Sequence, residues 1–138
     1  MASPRKKAVL IAGTVLLLGV VIAAQRMQRA HAIRETAYIR LANARGTVHN
    51  LQTQLAIYRQ LNGFYPSTEQ GLEALVTRPT SSPIPQHWKQ LVFHDTLIDP
   101  WGRSVVYRSP ASNGIDPYDL LSLGPDGVRS NDDIRAKQ

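Results

Sequence analysis

Two hydrophobic patterns follow one another at the start of the chain. From Ala8 to Ala24 it reads AVLIAGTVLLLGVVIAA, with no charged side chain and Thr14 alone polar. As an α-helix this run spans roughly 26 Å, close to the ~30 Å hydrocarbon core of a bilayer. Arg5, Lys6 and Lys7 precede it and favour a cytoplasmic N-terminus, while Arg26, Arg29 and Arg34 follow it and weigh against that orientation. A retained membrane anchor is one reading. A cleaved secretory signal, with small residues at Ala30-His31-Ala32, is the other. Both place the remainder of the chain outside the cytoplasm.

The pattern then becomes periodic. Ala37, Leu41, Ala44, Val48, Leu51, Leu55 and Tyr58 recur at steps of four and three, the spacing of one helical face, with mostly Arg, Asn, Gln and His between them. Gly46 lowers helix propensity without ending the pattern, and Asn62-Gly63 followed by Pro66 ends it. Anchor and stem are expected to form one nearly continuous helix from about Ala8 to Leu61; two helices with a break near Arg26 to Arg34 are the alternative.

Beyond the stem come turns and short strands. Ser67 to Val76 reads as a short capped helix stopped by Arg78-Pro79, and Thr80 to Pro85 as an extended loop. Trp88, Leu91, Val92 and Phe93 are expected in or near the core. Asp99-Pro100-Trp101-Gly102 predicts a tight turn that launches a strand at Val105-Val106-Tyr107, and Tyr118 to Leu123 predicts a second strand. The expected class is α+β, a long N-terminal helix packed on a small antiparallel sheet. The organisation is a basic leader over residues 1–7, a transmembrane segment over 8–24, an amphipathic stem over 25–61 and a globular domain over 62–138.

Charge sharpens this picture. The chain carries +6 overall, but +7 falls on the part through Arg45 and −1 on the part from Gly46 onward. The basic excess therefore lies beside the apolar run, and the globular half has no surplus for a phosphate backbone, so no nucleic-acid partner is expected. With no cysteine there is neither a disulfide nor a thiolate metal site. His31, His49, His87 and His94 are scattered, and no nucleophile elbow, zinc-protease or phosphate-loop string occurs; no enzyme is expected and no catalytic residue is assigned. Gly124 to Ile134 concentrates Asp126, Asp132 and Asp133 with glycine and serine, oxygen chemistry of the kind a hard cation takes, though without the spacing of an EF-hand.

Tyr58-Arg59-Gln60-Leu61-Asn62-Gly63-Phe64-Tyr65-Pro66-Ser67-Thr68-Glu69-Gln70-Gly71-Leu72-Glu73-Ala74-Leu75 resembles the hallmark segment of major pseudopilins of type II secretion. Asp99-Pro100-Trp101-Gly102, Tyr107 and Ser122-Leu123-Gly124-Pro125-Asp126-Gly127 fall in family order after it. The resemblance covers roughly Leu41 to Ile134. It implies a pilin-like fold, a single-pass anchor in the bacterial inner membrane with a periplasmic domain, and a structural role in a short pseudopilus that promotes protein export across the outer membrane. Implied partners are other pseudopilins, met through the N-terminal helix, the inner-membrane secretion platform and a prepilin peptidase, with methylation of the processed end. A DNA-uptake or surface type IV filament subunit, or an assembly-defective or regulatory pseudopilin, is the alternative.

The resemblance also implies structural calcium: Asp126 and Asp133 match the family's carboxylate ligands, joined by Asp132 and by the carbonyls of Leu123 and Ser130. Processing would fall between Ala8 and Val9. There the chain departs from the family, with Ala8 where a glycine is usual and Gly13 where a glutamate is usual.

Overall fold

The computed structural model describes the backbone of residues 4 to 136 and the side chains of residues 16 to 136. The side chains of the leader and of the processing pair Ala8 and Val9 lie outside the described ones. By its internal contacts the chain divides into two compact units, Met1–Ile39 and Arg40–Gln138. Helix α1 is assigned from Pro4 to Asn62. In the first unit helical backbone continues through Arg26 to Arg34, so there is no break at that point. Every described side chain of that unit is exposed, Leu16, Leu17, Leu18, Val20, Val21 and Ile22 among them. Among the described residues no helix is long and apolar enough to cross a membrane; the run Ala8 to Ala24 begins before the described side chains do.

In the second unit the striped face of α1 is the floor of the core. Ala44, Val48, Leu51, Leu55 and Tyr58 are buried there and Leu41 partly so, whereas Ala37, on the same stripe, belongs to the first unit and is exposed. Burying a leucine removes roughly 2 kcal/mol worth of apolar surface from water, so this single row is a leading stabilising feature of the unit. α1 stops as its last residues predict. Asn62 Nδ2 donates to the Tyr58 carbonyl at 3.1 Å, and Gly63, at φ +85°, donates its N–H to the Arg59 carbonyl at 2.7 Å.

Strands β1 (Val106–Arg108), β2 (Asp119–Ser122) and β3 (Ile134–Arg135) form one antiparallel sheet in that order. Tyr107 pairs with Leu120 and Ser122 with Ile134. Leu120, Tyr118, Val105 and Ile134 join the helical row in the core, together with Leu72, Leu75, Val92 and Leu97. The third strand is too short to show any alternation of polar and apolar residues, and sequence reasoning does not find it.

Two expectations change. The capped helix over Ser67 to Val76 is only a 3₁₀ turn, Leu72–Leu75. Gly71 sits at φ +60° and cannot continue a right-handed helix backward, and Pro79 bars it forward. Phe93 is 76% exposed rather than in the core. Its backbone is extended, so its side chain faces away from that of buried Val92.

The hallmark segment uses its polar atoms to tie loops together. Gln70 N–H donates to Ser67 Oγ at 3.2 Å while Ser67 N–H donates to Gln70 Oε1 at 3.1 Å, a reciprocal cap. The Gln70 amide nitrogen then donates to the Ser81 and Pro83 carbonyls at 2.8 and 3.0 Å, holding the proline-rich loop. Thr68 exchanges bonds with Ser109, its hydroxyl donating to the carbonyl and accepting the N–H, both at 2.9 Å. Tyr107 donates its hydroxyl to the Pro66 carbonyl at 2.8 Å, and burial pushes that phenol far above its usual pKa. Burial, then neighbouring Tyr65, pushes Tyr118 up to about 12. These aromatic hydroxyls stay protonated throughout the neutral range.

Candidate functional site

The loop between β2 and β3, residues 123 to 133, is built on the turn at Asp99. Pro100 and Gly102, the latter at φ +81°, shape that turn, and Gly102 N–H donates to the Asp99 carbonyl at 2.9 Å. Asp99 is 4% exposed, and its carboxylate is fully used. Oδ1 accepts the Trp101 and Arg103 N–H groups at 3.0 and 2.9 Å, and Oδ2 accepts the Ser122 hydroxyl at 2.7 Å. Ser122 Oγ in turn accepts the Gly124 N–H at 3.3 Å, so the turn grips the loop where it leaves β2.

Arg103 makes the second grip. Its guanidinium lies 3.9 Å from Asp99 Oδ2 and donates to the Gly124 carbonyl. It also packs against Gly127, where an added Cβ would stand 3.0 Å from Arg103 Nη1. Arg103 was not singled out from sequence. Its spacing of four from Asp99 was visible, but its reach to residues 124 and 127 depends on the sheet.

The predicted ligands fall on both arms of this loop. Gly124 has so little room that a Cβ would meet the Asp132 carbonyl oxygen at 2.8 Å and Asp132 Oδ2 at 3.0 Å, which brings the residue after Leu123 against Asp132. Asp133 Oδ1 accepts the Ser130 N–H at 3.3 Å, and its Oδ2 pairs with Arg135 at 2.7 Å. Asp126 Oδ1 accepts the Val128 N–H at 3.0 Å, and Asp132 accepts the Ser130 hydroxyl. Thus Asp132, Asp133 and Ser130 are brought together, whereas Asp126 turns to its own bend and is exposed. The donors suit a hard cation in kind, being oxygens from both arms of one closed loop. They do not form a ready cluster: among the described residues no three acidic or histidine side chains converge to hold a metal ion.

Beside the loop, still within the second unit, runs an open groove of about 640 Å³. Leu41, Arg45, Val48 and His49 of α1 line one wall, and Asn131 to Ala136 line the other. The four histidines are exposed, and His94 pairs with Glu73 at 3.0 Å.

Comparison with known proteins gives this arrangement a context. A family model described as type II secretion system (T2SS), protein G, matches residues 32–137. The type II secretion system core protein G of Pseudomonas aeruginosa is 42% identical over 91 residues, covering 65% of this chain and 63% of that protein. The protein of the same name from Dickeya chrysanthemi is 43% identical over 84 residues, 60% of this chain and 54% of its own length. The matched stretch thus spans less than two thirds of these relatives. The crystal structure of the major pseudopilin from the type 2 secretion system of enterohaemorrhagic Escherichia coli superposes with a TM-score of 0.62 at 33% identity, covering 75% of this chain and 90% of that one.

Proposed function

The chain belongs to the type II secretion system protein G family, and from that premise we propose that it is a structural pseudopilin subunit, held in the inner membrane by α1, whose domain works in the periplasm. In this role it joins other pseudopilins through α1 and, on the secretion platform, contributes to a short pseudopilus that promotes export across the outer membrane. It has no catalytic task. The observation that carries the reading is the contrast along α1. Along the stripe Ala44, Val48, Leu51, Leu55 and Tyr58 are consumed by the domain core, while Leu16, Leu17, Leu18, Val20, Val21 and Ile22 are exposed and have no such cover. Exposed apolar surface of that extent calls for lipid or for a neighbouring copy.

The test is disulfide trapping in intact membranes. The chain lacks cysteine, so Leu17→Cys and Ile22→Cys report cleanly. We expect crosslinked copies at these positions, and none at an exposed domain position such as Ser112→Cys. A chain that washes off membranes in carbonate and never crosslinks refutes the assignment. The mass of the recovered protein decides between a cut after Ala8, a cut after Ala32 and the whole chain.

The loop of residues 123 to 133 is proposed to take structural Ca²⁺. Asp132, Asp133 and Asp126 with the Leu123 and Ser130 carbonyls would hold it, and the ion would supply charge neutralisation and loop closure. The oxygen-only donor set and the approach of the two arms at Gly124 and Asp132 support this reading. We expect millimolar calcium to raise the melting temperature by several degrees relative to chelator, and Asp126→Ala to abolish the difference. Superimposable melting curves in calcium and in chelator defeat the assignment.

A further inference from the structure

Along α1 the basic residues run from Arg5 to Arg59, and Glu35 is the single acid. Three of them, Arg26, Arg29 and Arg34, follow closely on the apolar run that ends at Ala24, whose last large side chain, Ile22, is exposed. All three are exposed, and among the described residues none takes part in an ion pair. None has an acid three or four positions away, where helical neighbours meet. At about 100° per residue they fall within an arc of about 140°, and Glu35 lies on the opposite side. Arg26 and Arg29 are themselves helical neighbours of like charge, a mildly destabilising arrangement on its own.

We propose that Arg26, Arg29 and Arg34 form a collar that binds the anionic headgroups of phospholipids where α1 leaves the hydrocarbon. The proposal rests on the membrane-anchored reading above. Geometry supports that occupant. The collar starts about 6 Å beyond Ile22 and extends about 12 Å along the helix, a depth comparable to a headgroup layer with its adjoining water. Guanidinium groups bind phosphate oxygens through paired N–H donors, and they hold less tightly to water than ammonium does. Ile33, 69% exposed within the same arc, offers an apolar contact at the acyl boundary. Arg5, Lys6 and Lys7 lie on the other side of the apolar run, so the collar serves the opposite leaflet.

The test reconstitutes the full chain into nanodiscs of neutral phosphatidylcholine, with and without one third phosphatidylglycerol. Mild detergent then extracts the protein, and native mass spectrometry counts the lipids it retains. The comparison is between wild type and the combined Arg26→Gln, Arg29→Gln, Arg34→Gln variant, in which glutamine preserves helix propensity. We expect the wild type to retain anionic over neutral lipid by roughly tenfold or more above the bulk ratio. The triple variant should lose most of that preference, and 0.5 M salt should weaken it in the wild type. The residual preference in the variant reports the leader. An unchanged preference in the variant overturns the collar. So does wild-type protein in neutral discs that captures duplex DNA through these same arginines, because the occupant would then be nucleic acid. Failure of the protein to enter neutral discs at all sinks the anchored reading and the collar together, whereas normal entry without anionic enrichment sinks the collar alone.

Discussion

Asp99→Ala is expected to lower the stability of the globular unit by about 3 kcal/mol, a change large enough to leave the domain partly unfolded at physiological temperature. The carboxylate is almost wholly buried and accepts three hydrogen bonds, from the Trp101 and Arg103 N–H groups and from the Ser122 hydroxyl. Alanine leaves all three donors without an acceptor in a space that water does not reach easily. It also removes the carboxylate facing the Arg103 guanidinium. Asp99→Asn keeps an oxygen for the two N–H groups and should cost about 1 kcal/mol, mostly through the lost charge on those bonds. Urea unfolding of the detergent-solubilised chain, followed by the fluorescence of Trp88 and Trp101, measures both. If alanine costs less than about 1 kcal/mol, water has replaced the carboxylate and the turn is not the anchor of the loop.

Gly124→Ala should cost about 2–3 kcal/mol and Gly127→Ala about 1 kcal/mol, although both glycines have positive φ, at +65° and +74°. The difference comes from what each new methyl meets. At Gly124 it strikes the Asp132 carbonyl oxygen at 2.8 Å, backbone that moves only if the loop opens. At Gly127 it meets the end of the Arg103 side chain at 3.0 Å, which can rotate away. The same urea titration on the two variants checks this. Equal losses would mean that left-handed strain alone sets the cost, and that the two arms of the loop are not packed tightly against each other.

Residues whose role follows from periodicity or local stereochemistry were legible without a structure. The stripe from Ala44 to Tyr58 is buried, the helix ends at Asn62 with Gly63 in a left-handed cap, and the Asp99 turn and the two strands that follow it are where the pattern puts them. Other features depend on contacts that sequence spacing does not encode. Ile134–Arg135 becomes a strand because Ser122 and Leu121 offer it an edge, not because two residues have strand character. Phe93 reads as core by composition, but a single extended residue beside Val92 turns it outward. In the candidate site, the acids were visible as a string. That Asp126 turns to its own bend while Asp132 and Asp133 gather with Ser130 was not, and neither was the role of Arg103.

What the sequence alone determined is the sort of molecule: an apolar run, a striped helix, an α+β domain with nearly balanced charge and an oxygen-rich terminal loop. Helical and strand periods, turn residues and net charge are properties of neighbours in the chain, so they can be read along it. Only the tertiary structure decided how the Asp99 turn holds the loop, which carbonyl the Arg103 guanidinium reaches, and which carboxylates share a space. The first two join residues more than twenty positions apart, the third depends on how the loop between β2 and β3 closes, and their geometry exists only after the sheet has paired and closed over the α1 stripe.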